Sequence, residues 1–176
     1  MSDATPRAPA FSGLHRLLAI ALVVAVTPAW ALAQGPRVGG HVGIATPLVT
    51  IPSEGDTTDI GDQFTLVMPI GVTVKLNERL AVDFETQVHN PVDPDGTTAL
   101  VVAPGLVYNF GAFAAGLRLA SEIGADSNIG LIPIINSGLG PVGGGTWFLE
   151  AAFPTFFHST EPDLTFTVVV HTGIAF

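Results

Sequence analysis

The sequence predicts an all-β chain: a closed, antiparallel, up-and-down, eight-stranded transmembrane β-barrel, preceded by a cleaved signal peptide. Three observations lead there. The chain is 48% hydrophobic and only 12% charged, about half the charge of a typical soluble domain. Its apolar residues recur with period two rather than 3.6. The connections between these runs alternate between long acidic segments and short glycine-rich turns.

Residues 1–33 carry the export signal. Arg7, His15 and Arg16 precede the apolar run LLAIALVVAV from Leu17 to Val26. Ten apolar residues suit a signal h-region and fall short of the roughly 20 needed for a helix to span a bilayer. Pro28 breaks the run, and either Ala31 or Ala33 precedes the cleavage point. The barrel domain is then 34–176.

Eight strand-length runs follow, at about 37–51, 63–76, 79–90, 97–110, 113–123, 129–140, 146–158 and 164–176. In the third, Leu80, Val82, Phe84, Thr86 and Val88 share one face, with Ala81, Asp83, Glu85, Gln87 and His89 on the other. In the last, Leu164, Phe166, Val168, Val170, Thr172, Ile174 and Phe176 share a face opposite His171, Gly173 and Ala175. The odd connections, 52–62, 90–96, 124–128 and 159–163, are polar and acidic. The even ones, Asn77-Glu78, Gly111-Ala112 and 141–145, are short or glycine-rich. In a meander the odd connections share one end and the even ones the other.

Periodicity alone does not say which face is dry, but the composition of the second face does. It is small or polar: Gly39, His41, Gly43 and Ala45; Thr65, Gly71 and Thr73; Gly116 and Arg118; Glu150 and Ala152. Small side chains suit the crowded interior of an eight-stranded barrel. The apolar, uncharged face then meets lipid. Aromatics support this assignment. Tyr108, Phe110, Phe113, Trp147 and Phe176 gather at the end holding both termini, and Phe64, Phe157 and Phe166 at the opposite end. Two aromatic girdles at the edges of an apolar band are expected at membrane interfaces.

In its signal peptide, its eight runs and its final strand TFTVVVHTGIAF ending in Phe176, the whole chain resembles the small eight-stranded outer-membrane β-barrels of Gram-negative-type bacteria. No subfamily motif is present. The resemblance implies an outer-membrane location, periplasmic termini, outward-facing long loops and contact with outer-membrane lipids. It also implies recognition of the C-terminal strand by the barrel-assembly machinery.

Candidate chemistry is sparse. His41, Asp83, Arg118, Glu150 and His171 are expected at similar heights on the inward face and, with Glu85, form a candidate interior polar network. A buried arginine must be paired, so the network is expected to plug the lumen. The competing reading is a proton or metal site of His41, His171 and Glu150. A second cluster is the acidic rim, Glu54, Asp56, Asp59, Asp62, Asp93, Asp95, Asp126, Glu161 and Asp163, read as solvated loop tips or as a loose site for divalent cations beside anionic headgroups. The third is His158-Ser159 with Glu161. Neighbouring strand residues point to opposite faces, which departs from the H-x-S spacing of lipid A deacylase barrels. Cysteine chemistry is absent because there is no Cys, and six Lys+Arg against 15 Asp+Glu cannot form a nucleic-acid groove. No phosphate loop or G-x-S-x-G elbow occurs. The reading is therefore a non-catalytic outer-membrane protein with a structural or surface-interaction role, needing no cofactor or metal. The alternatives are a lipid-modifying barrel enzyme and a soluble exported barrel holding a small apolar ligand.

Overall fold

A computed structural model describes residues 37–123, 128–158 and 164–176. The segment expected to be a signal peptide, and Asp126, Ser159, Glu161 and Asp163, lie outside the described residues.

The described chain forms one antiparallel sheet that closes on itself. Its long strands are β1 (Arg37–Pro52), β3 (Phe64–Lys75), β4 (Leu80–Asp93), β5 (Ala99–Asn109), β6 (Ala114–Ile123), β7 (Ile129–Val142), β8 (Gly145–Ala152) and β10 (Leu164–Ala175). Two short pieces complete it: β2 (Thr58–Asp59), a flap on β1, and β9 (Thr155–Phe157), which continues the stave begun by β8. Each stave pairs with its sequence neighbour, and β10 returns to pair with β1 from His41↔Ala175 to Pro52↔Thr165. The result is the closed eight-stranded antiparallel barrel that the periodicity predicts.

Local departures from the predicted runs have physical causes. The seventh run splits between β8 and β9 at Phe153-Pro154, since Pro154 has no N–H to give the ladder. The segment from Asn90, expected to leave the sheet, continues β4 to Asp93, because β3 supplies partners as far as Phe64↔Asp93. Polarity there marks emergence from the apolar belt, not the end of the strand. β1 takes a one-residue bulge between Pro47 and Val49, which turns the phase of its upper half.

The alternation sorts the faces as expected. Ile70, Phe84, Leu119 and Ile135 are each more than half exposed on the outside, whereas Val101, Ala103, Ala120 and Ile132 are buried within. Among the described residues the outer face carries a continuous apolar belt. Tyr108, Phe110, Phe113, Trp147 and Phe176 are exposed at the rim that holds the chain ends, with Phe110 stacked on Phe113 at 5.0 Å. Phe64, Phe157 and Phe166 are exposed toward the opposite, long-loop rim.

Candidate functional site: a buried charge network across the lumen

The six inward residues singled out in the sequence meet at mid-height. Asp83, Glu85, Arg118 and Glu150 are each 2% exposed, His171 is 3% and His41 is 8%. They come from β1, β4, β6, β8 and β10, so the cluster draws on most of the barrel wall. Alternation puts Asp83 and Glu85 on one face of β4, two residues apart. Register sets Glu150 directly beside His171.

Arg118 is the hub. Its Nη2 lies 2.9 Å from Asp83 Oδ2 and 3.1 Å from Glu85 Oε2, and its Nη1 lies 2.9 Å from Glu150 Oε1. Its Nε also donates to Asp83 Oδ2 at 3.0 Å. His41 Nε2 donates to Glu85 Oε2 at 2.7 Å, and His171 Nδ1 to Glu150 Oε1 at 3.3 Å. Neutral donors finish the set: Thr73 to Asp83 Oδ1, Gln87 to Glu85 Oε1 and Asn136 to Glu150 Oε2. All six oxygens of the three carboxylates therefore accept a hydrogen bond. A buried charge is tolerable only under such complete pairing. Three carboxylates against one guanidinium leave two negative charges in excess when both imidazoles are neutral.

Space for these side chains comes from glycine. A Cβ at Gly71 would collide with the His41 imidazole, one at Gly43 with His171, and one at Gly105 with Arg118. Gly71 and Gly105 are the cross-strand partners of His41 and Arg118. Each large polar side chain thus lies over a neighbour that has none.

Sequence reasoning missed Phe148. It is 3% exposed and packs edge-on against His171 at 4.9 Å and His41 at 5.9 Å. Its parity with Glu150, two residues on, was the available signal, and the adjacent outward Trp147 concealed it.

The cluster separates two cavities. One of about 500 Å³ opens toward the chain-end rim and is lined by His41, Asp83, Arg118, Phe148 and Glu150. The other, about 260 Å³, lies toward the long loops and is lined by Gln87, His89, Glu122, Glu150, Phe156 and His171. Among the described residues only Glu150 borders both.

Two sets of ligand atoms are close enough to hold a cation: His41, Asp83 and Glu85, and Glu85, Glu150 and His171, each within 4.8 Å. The Arg118 guanidinium is bonded to every carboxylate in both sets. A metal would have to displace it. At the loop end, His158 Nε2 lies 2.9 Å from Thr165 Oγ1.

No protein-family model matches the chain, and neither does any curated protein. Among solved structures, the attachment invasion locus protein Ail of Yersinia pestis is similar, with 12% sequence identity and a TM-score of 0.44 over 79% of this chain and 97% of Ail.

Proposed function

We propose that this chain is an integral outer-membrane β-barrel with a structural or surface-interaction role and no catalysis, its lumen shut by the Arg118 network. The observation that carries the reading is the inversion of the barrel. Charged side chains fill the inside, while Ile70, Leu119, Ile135 and their neighbours form an exposed apolar outside. A soluble barrel would place those two sets the other way round. Hydrocarbon demands that every backbone N–H and C=O be paired within the protein, which a ladder closed from β1 to β10 provides. Strands of 10–14 residues, such as β6, β3 and β4, reach or exceed the roughly 9–11 that cross a bilayer when tilted.

In this reading the chain ends and short turns lie in the periplasm and the long acidic loops lie outside. The aromatic rims sit at the two interfaces, and outer-membrane lipids are the main partners. The final strand is the element presented to the barrel-assembly machinery. Cell fractionation combined with gel mobility before and after boiling tests the proposal. The folded barrel should partition with outer membranes and run faster unboiled than boiled. A soluble periplasmic protein of unchanged mobility would defeat it.

A further inference from the structure

The loop-side cavity has a lining of unusual electrostatics. Its walls are apolar, with Val67, Val101, Ile132 and Val169 among them. Among the described residues, the Asp, Glu, Lys and Arg side chains bordering it are all acidic: Asp59, Glu122 and Glu150. Arg118 borders only the opposite cavity. The sequence holds no lysine or arginine in any of the four long loops, whereas Arg37, Lys75 and Arg79 all sit at the other rim. Asp59 borders the cavity, and Glu54, Asp56 and Asp62 belong to the same 52–62 connection.

The hydrogen bonds also fix what the lining offers. Gln87 Nε2 donates to Glu85 Oε1, so Gln87 Oε1 must be the acceptor for His89 Nε2 at 2.8 Å. His89 Nε2 therefore carries a proton, and in the neutral imidazole its Nδ1 is a lone pair. Among the described residues Glu122 accepts one side-chain hydrogen bond, from Asn128 to Oε2 at 2.6 Å. Phe156, tilted against His158 at 6.3 Å, adds an aromatic face, to which cations are attracted. An apolar chamber whose charges are negative, with acceptors at Glu122 and His89, favours a ligand that donates and is positive.

We propose that this chamber binds a small organic cation, a primary amine on an apolar body. Its ammonium would be held by Glu122 and His89, and its body would lie among Val67, Val101 and Phe156. A chamber of about 260 Å³ is below the usual 300–1,000 Å³ of drug-sized sites, which restricts the ligand to a single ring or short chain. The inference rests on the closed barrel and not on where the barrel resides.

The test is isothermal titration of the protein, expressed as the full chain and purified in detergent. The probes are phenethylammonium, 2-phenylethanol and 3-phenylpropionate, alike in size and different in charge. Saturable one-to-one binding of the ammonium is expected, with the alcohol at least about tenfold weaker, as loss of a charge-assisted hydrogen bond implies. The carboxylate should not bind. Glu122→Gln should cost the ammonium a similar factor, and Ala99→Phe should abolish its binding by filling the chamber. Gel mobility reports that each variant is folded. Equal uptake of all three probes would mean partition into apolar surface or detergent and would overturn the proposal. So would ammonium affinity unchanged in folded Glu122→Gln, or no saturable ammonium binding at all.

Discussion

His41 occupies the volume that a side chain on Gly71, its cross-strand partner, would fill. The imidazole reaches Glu85 only because β3 is bare at that point. Gly71→Ala should therefore destabilise the barrel by about 1–3 kcal/mol, the usual cost of overpacking a filled interior. Gly144→Ala, with nothing within 4 Å of the added carbon, should stay within about 0.5 kcal/mol of wild type. The temperature at which the folded gel band disappears compares the two.

Arg118 holds three carboxylates at once. Arg118→Ala should cost on the order of 3–5 kcal/mol, because it strands buried charge rather than merely losing a contact. Urea unfolding followed by intrinsic fluorescence reads the difference. A variant as resistant as wild type would mean that the carboxylates reach water without their partner.

The same network lies between the two cavities. Purified wild-type protein in planar bilayers should show no steady ion conductance, since an eight-stranded interior is just wide enough for its side chains. Large, persistent channels would show that an open path runs past Arg118.

Phe176 does more than display an aromatic ring at the rim. Its backbone exchanges two hydrogen bonds with Gly40, at 2.8 and 2.9 Å, and its ring lies over Gly40. Phe176→Asp should sharply lower the amount of folded barrel in the outer membrane, measured by fractionation and immunoblot. Normal levels would count against the membrane reading.

Loop orientation is open to direct labelling. An epitope tag within 53–57 should be accessible on intact cells, and a tag at Asn77-Glu78 only after permeabilisation. The reverse pattern would turn the barrel over.

Much of this architecture was legible in the sequence because period two is a local signal. The alternation from Leu80 to His89 sorts itself into faces without knowledge of any other strand. The network was legible for a related reason. Charged residues on an inward face have few solutions, and counting from strand ends put Asp83, Arg118, Glu150 and the two histidines at one height. What the sequence concealed depends on neighbours. The bulge at Leu48, the Thr58–Asp59 flap and the extension of β4 to Asp93 exist because a partner strand offers hydrogen bonds there. The role of Gly71 and Gly105 as receptacles depends on which side chain lies across from them, and that is a property of register.

Every stave of the barrel but one pair joins neighbours in the chain; the exception is the seam between β1 and β10. Contacts between the two ends of a polymer cost the most loop-closure entropy and form late. No nascent chain can close this sheet before β10 has been made, so the seam is the last pairing that synthesis allows. A product ended early, lacking β10, would leave β1 and β8 with unpaired edges open to aggregation. The seam thus makes synthesis of β10 a condition of folding, so that only a chain carrying that strand becomes a barrel.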